Sequence, residues 1–371
     1  METGFEGAVL ATGDALAERL GLWSSNQNEM LSPLSAEMAM GLALLTSDGD
    51  AERQILELFG IASEDDLMQQ TRQFRLRMGN EEEPALHIAN AIWVFRDISV
   101  NQGLIASADQ VYGAELNVEE SPGPQVVQDI NAWVAENTRG RINQLIDQLD
   151  PAASVGLFNA LAFDGTWEEP FKPEATSKES FAAPNGEVEV DMMRQSGEWD
   201  YRETEQFQAV DLPYEQPFRM HLVLPREGVT VAEVMSGYLQ DWQNNQGEMA
   251  ERSGQVRIPK FEFSAFYDLV PPLKQVGVPA LFTPGQGFLE ALSSSLNNES
   301  VDVAVQKTYI KVDEEGTEAA AATGIVGVTS AAPGPEEPFQ FVADRPFAFF
   351  ITENRSGAIL FMGVVNDPTA E

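Results

Sequence analysis

Residues 303–335 read VAVQKTYIKVDEEGTEAAAATGIVGVTSAAPGP, and the fold turns on how that stretch is understood. Its first ten residues alternate and are rich in β-branched side chains, the pattern of a strand. Acidic residues and a glycine follow, and then no charged residue occurs between Glu318 and Glu336. In a chain with 22% charged residues, a gap that long has a chance of about 1–2% at any chosen place. The small residues make a poor core face, and the Pro/Gly-rich end reads as an exposed, mobile connection. On composition alone the segment is a flexible linker or a poor helix at the alanine run. Written as a strand, it sorts differently, because alternate side chains share a face. Thr317, Ala319, Ala321, Thr323, Ile325 and Gly327 form one face, uncharged and small enough to bury. Glu318, Ala320, Ala322, Gly324 and Val326 form the other, with its only charge near the end. A loop already patterned as a half-buried strand is a loop that can enter a sheet.

Working outward, helices come first and strands later. Helical periodicity covers residues 7–23, 34–45, 51–59 and 64–78, and a further helix begins at Gln125 and ends near Gly140, with Ser32-Pro33 as a cap and start signal. Strands are expected at ALHIANAIWVF, VGLFNALAF, FAAPNGEVEVDMM, FQAVDLPY, FRMHLVLP, QVRIPKFEFSAFYDL and VDVAVQKTYIKVDEE. A terminal hairpin is expected about Asn354–Gly357. There is no βαβ rhythm and no internal repeat, so the class is α+β, in a single domain over 1–371.

The chain has 371 residues, 22 Lys+Arg against 59 Asp+Glu, a formal charge of −37 and no cysteine. That field disfavours nucleic acid and anionic membranes. Its acidity reads as solubility or salt adaptation, or as attraction to a basic partner. No cysteine means no disulfide, thiolate metal site or Cys nucleophile. The start of the chain carries no targeting signal and no run reaches the length of a membrane span. Phosphate-loop, nucleophile-elbow and HExxH motifs are absent. The two histidines, His87 and His221, lie in apolar strand-like runs and read as satisfied core residues. Asp48-Gly49-Asp50 reads as a turn or helix cap, and Arg72, Arg75 and Arg77 as a helix surface flanked by acids. No enzyme, metal or cofactor is indicated.

Seven ordered motifs carry a resemblance: NEMLSPLSAEMAMGLALL (28–45), INAWVAENTRGRI (130–142), LFNALAFDGTWEEPF (157–171), FYDL (266–269), VDEEGTEAAAATG (312–324), ADRPFAFFI (343–351) and FMGVVNDP (361–368). Together they span nearly the whole chain, which resembles the serpins, serine protease inhibitors, in an inhibitory, prokaryotic-like form. The resemblance implies three β-sheets, about eight or nine helices and an exposed reactive-centre loop, with hinge and loop within 314–345. It implies a suicide substrate: a protease acylates itself on the loop, which then inserts as a strand of the large sheet and traps the enzyme. The native fold would be a kinetic trap.

Residue by residue, Glu314, Glu315, Gly316, Thr317 and Glu318, then Ala319, Ala320, Ala321 and Ala322, match the family's hinge. Proline would remove a ladder donor there, and none occurs before Pro333. Family spacing sets the cut between Ser330 and Ala331, with Thr329–Ser330 and Val328–Thr329 as alternatives. Such small residues suit elastase-like or subtilisin-like serine proteases, with cysteine proteases as a further class. Trp167 and Lys260 match the breach, where the hinge enters the sheet, and Glu314 could pair with Lys260. Ser32, Ser35 and Asn159 match the shutter, and Gln306 stands where many members have His. Sparse basic surface argues against a heparin-type cofactor. A monomer in an extracellular or periplasmic setting is expected, with the cytoplasm as alternative. The competing reading is a non-inhibitory carrier, chaperone or storage protein.

Overall fold

The computed structural model describes residues 5–78, 85–286, 291–293, 296, 298–317 and 337–370. Nine α-helices and sixteen strands occur among them. The first part runs α1 (Phe5–Leu20), β1 (Glu29–Leu31), α2 (Pro33–Leu45), α3 (Gly49–Phe59) and α4 (Glu64–Met78). Next come β2 (Leu86–Val94), α5 (Gln102–Ser107), β3 (Glu115–Val118), α6 (Pro124–Asn137), β4 (Val155–Phe163) and β5 (Gly165–Thr166). Then follow β6 (Ser177–Ala183), β7 (Gly186–Glu203), β8 (Phe207–Pro213), β9 (Phe218–Pro225), α7 (Val231–Tyr238) and α8 (Trp242–Gly247). The chain continues through β10 (Ala250–Pro259), β11 (Phe261–Asp268), α9 (Val270–Gln275), β12 (Val303–Val312) and β13 (Gly316–Thr317). It closes with β14 (Phe339–Val342), β15 (Phe347–Glu353) and β16 (Ile359–Val365).

The strands form two hydrogen-bonded networks. One has the order β3-β2-β4-β12-β13-β5, with β11 on the other side of β12. The other runs β1-β16-β15-β9-β8-β7-β10-β14, with β6 beside β7. Two of the three sheets implied by the resemblance are thus continuous, because β7, 18 residues long, pairs with β6 and β10 along most of its length and with β8 near its C-terminal end. FAAPNGEVEVDMM is a hairpin, β6 into β7, rather than one strand. QVRIPKFEFSAFYDL breaks at Lys260 into β10 and β11, which belong to different networks.

The main core lies between the two sheets and takes in α1 and α2. α2 is apolar on nearly every side, so it has no solvent face to keep, and all its residues but Ala39 are buried. A second, smaller core lies on the other face of the β3–β12 sheet. There Ile130, Trp133 and Val134 of α6 cover Phe158, Ala160 and Val305.

Candidate functional site

β4 and β12 lie side by side, parallel, from Val303↔Gly156 to Tyr309↔Ala162, with no strand between them. At the head of this seam the chain leaving β12 turns back. Asp313 N–H donates to the Gly316 carbonyl at 2.9 Å, and Glu315 N–H to Asp313 Oδ1 at 3.0 Å. The two residues of β13 then wedge between β12 and β5: Thr317 faces Val312 on one side and Gly165 on the other. Gly316 has φ 155°, and a Cβ there would stand 2.0 Å from the Gly165 carbonyl oxygen. Only glycine lets the backbones approach this closely.

Trp167 organises the head of the seam. Its indole N–H donates to the Asp313 carbonyl at 3.0 Å and its backbone N–H to the Glu315 carbonyl at 3.0 Å. Its ring stacks on Tyr214 at 4.4 Å, and Tyr214 Oη lies 2.7 Å from Thr317 Oγ1. Burial pushes the Tyr214 phenol up, so it stays neutral. The Glu314 carboxylate meets Lys260 Nζ at 2.5 Å and accepts from Thr176 Oγ1 at 2.7 Å. Burial works against its charge, but the bonds from Lys260 and Thr176 outweigh it and hold the carboxyl below its usual range. The Glu314 side chain is 11% exposed and that of Lys260 38%. The pair therefore exceeds a surface ion pair in burial while remaining open to salt on the lysine side.

Halfway down the seam, Ser32, Ser35, Asn159 and Gln306 come together. Asn159 and Gln306 face each other across β4 and β12. Gln306 Oε1 accepts from Ser32 N–H at 2.9 Å and its Nε2 donates to the Ser32 carbonyl at 3.1 Å. Ser32 Oγ caps α2 by accepting from Ser35 N–H at 3.1 Å and donates to the Leu360 carbonyl of β16 at 2.6 Å. Asn159 Nδ2 donates to Ser35 Oγ and to Asn90 Oδ1. Asn90, on β2 in register with Asn159, completes a row that sequence reading missed. Its only signal is an amide inside an apolar strand. All five residues are almost wholly buried and none is titratable.

The remaining hinge residues Glu318, Ala319, Ala320, Ala321 and Ala322 lie outside the described residues. So do Val328, Thr329, Ser330 and Ala331. His87 pairs with Asp164 at 3.3 Å, and His221 with Asp211 and, at 2.6 Å, the Tyr238 hydroxyl. Among the described residues neither forms a hydrogen bond with a serine or threonine. Among the described residues no cluster of three metal-ligating side chains occurs, and no helix is long and apolar enough to cross a membrane.

A family model described as Serpin (serine protease inhibitor) matches residues 11–368. An uncharacterized serpin-like protein of the archaeon Thermococcus kodakarensis is 33% identical, the match covering 94% of this chain and 82% of that one. The thermophilic serpin tengpin in its native state superposes with a TM-score of 0.88 at 25% identity, over 98% of this chain and 94% of that one. Human thyroxine-binding globulin, in a complex with its hormone, shares the fold alone: TM-score 0.88 at 22% identity, over 99% of both chains.

Proposed function

The chain belongs to the serpin family, and on that premise we propose that it is a suicide-substrate inhibitor of elastase-like or subtilisin-like serine proteases. The observation that carries the reading is a coincidence of register. Thr317 sits level with Val312 and Gly165. A strand continuing antiparallel from there reaches Tyr309 and Ala162 at its third step, and Gln306 and Asn159 at its sixth. Those are pairs that already face each other across the closed seam. A loop strand can therefore enter by separating β4 from β12 sideways, without sliding one along the other.

Faces agree as well as levels. Thr317 shares its face with Val312, Ile310, Thr308, Phe163 and Leu161, all buried. Ala319, Ala321, Thr323 and Ile325 would follow onto that side. Glu318 would point to the other, level with Lys311 and Asp164. The closed ladder ends at Val303↔Gly156, level with Val326. A cut at Ser330–Ala331, or at Val328 or Thr329, falls past the foot of the seam, so the whole patterned stretch would be available. Insertion trades one ladder for two, a gain on the order of 10 kcal/mol at about 1 kcal/mol per bond. α6 covers part of the outer face and has to yield.

The protease supplies its own nucleophile, and the loop only the scissile bond and the strand. On this reading the targets are secreted proteases, and the protein would meet them outside the cell or in a periplasm, as a monomer without a heparin-type cofactor. The second reading is a non-inhibitory carrier, chaperone or storage protein, a role that the same fold can host. Incubation with elastase, subtilisin and papain, followed by denaturing gels and mass spectrometry, separates the readings. The inhibitor gives a detergent-stable complex and releases a C-terminal peptide beginning at Ala331 or within two residues of it. Turnover of the loop without a complex by all three enzymes favours the carrier.

A further inference from the structure

The helix whose N-terminal turn clamps the seam carries one ionisable side chain, Glu37. It lies two residues past Ser35 and is fully buried, and neither carboxyl oxygen has a hydrogen-bond partner. One turn further on, Gly41 makes room for the Tyr112 ring: a Cβ there would stand 2.6 Å from Cε1 and 2.9 Å from Oη. The Tyr112 hydroxyl is also buried and unpartnered, as are those of Thr12 on α1 and Thr71 on α4. Burial raises the phenol of Tyr112, and the nearby Glu37 and Glu64 raise it further.

Among the described residues no neighbour offers Glu37 a countercharge. From α1 come Glu6, Asp14, Glu18 and Arg19, the last paired to Glu18, and from the short helix at 108–112 come Asp109 and Tyr112. α3 brings Asp50, Glu52, Glu57 and Arg53, the last paired to Asp50 and Glu57. α4 brings Glu64, Asp65, Asp66, Arg72, Arg75 and Arg77. Of these, Arg75 donates to the carbonyls of Asp109 and Gln110, and Arg77 pairs with Glu6. β2 carries only His87, paired to Asp164, while β4 and β16 carry no ionisable side chain.

We infer that Glu37 is a proton-operated latch on the seam. With its carboxyl neutral, α2 rests against the β3–β12 sheet and holds Ser32 and Ser35 on Gln306 and Asn159. Ionisation puts an unpaired charge in an apolar layer, which is relieved only if α2 moves toward water. That motion strains the bonds α2 makes to the seam. Desolvation holds the Glu37 carboxyl well above its ordinary value of 4.5. The sign follows: the native state keeps a proton that the unfolded chain releases, so stability falls as pH rises from about 4.5 through the raised value, and levels off above it. The loss of stability stands on the geometry of Glu37 alone; faster loop insertion rests also on the inhibitory reading.

The test uses the full chain, with urea unfolding rates and spontaneous conversion to a heat-resistant inactive form measured from about pH 5.5 to about pH 9. The wild type should unfold and convert at least about tenfold faster at the upper end. Glu37→Gln should flatten both profiles, and Tyr112→Phe, which keeps the carboxyl, should leave the slope in place. Equal slopes in wild type and Glu37→Gln overturn the latch. If Glu37→Gln does not fold, infrared spectra of the wild type decide: a protonated-carboxyl stretch should persist near neutrality and fade as unfolding quickens, and its absence overturns the latch. A pH slope lost in Glu37→Gln, in a protein that traps no protease, supports the latch and sinks the inhibitory reading.

Discussion

The head and the middle of the seam are held by opposite chemistry. At the head, Glu314 and Lys260 form a charged pair open to water on the lysine side, with Trp167 locking the turn through backbone carbonyls. In the middle, amides and hydroxyls of Asn90, Asn159, Gln306, Ser32 and Ser35 form a neutral buried cluster. The difference assigns each region a task. A charged, partly wet contact can be exchanged when the hinge moves, because both partners recover hydration. A neutral buried cluster cannot, since every bond broken there strands a polar atom. The head is where a strand would begin to enter, and the middle sets how hard the sheet is to part.

The comparison breaks most completely at Thr317. It is fully buried beside Tyr214, and Thr317→Arg forces a charge into that space in both the native and the inserted sheet. Trapping should fall to nothing while cleavage continues, seen on gels as product without complex. Next in size is Asn159→Ala, which strands Asn90 and Ser35 in the buried row. It should cost about 2–4 kcal/mol in urea unfolding, by the same amount from about pH 5 to about pH 8 because no member titrates. Glu314→Gln should cost less, about 1 kcal/mol, and the loss should shrink in high salt. Its pH signature is the reverse of the latch. The Glu314 carboxyl is held below its ordinary 4.5, so its contribution is present above that value and fades as pH falls through the lowered one. The difference between wild type and Glu314→Gln should therefore vanish in acid. The smallest effect is expected of Gln306→His, which gives the middle a titratable group. Near neutrality the stability should hardly change, and below about pH 6.5 a new acid-dependent loss should appear.

What could be read without coordinates follows the reach of each signal. Ser32-Pro33 ahead of an apolar run marks the start of α2, because capping is local chemistry. The alternation of residues 303–312 gives β12 for the same reason. The break at Lys260 had one local signal, Pro259, which cannot donate to a ladder; the alternation on both sides masked it, and the two networks that β10 and β11 join decide that the chain turns there. The C-terminal half of β7, QSGEWDYRE, has little apolar pattern. It is a strand because β10 and β8 pair with it. In the candidate site, Trp167, Lys260, Ser32, Ser35, Asn159 and Gln306 came from resemblance, and the structure supplies the bonds among them. Asn90 required register, which is long-range. Glu37 was legible as the single acid in an apolar helix, but its lack of a partner was not.

The central claim is that the closed β4–β12 seam accepts the chain's own loop. The most direct test is to nick the loop with a small amount of a broad-specificity protease and compare thermal unfolding of intact and nicked protein in calorimetry. Insertion predicts that the nicked form unfolds at least about 20 °C higher, since it gains a strand paired on both sides. A nicked form that unfolds at the same temperature as the intact protein, or below it, would contradict the account.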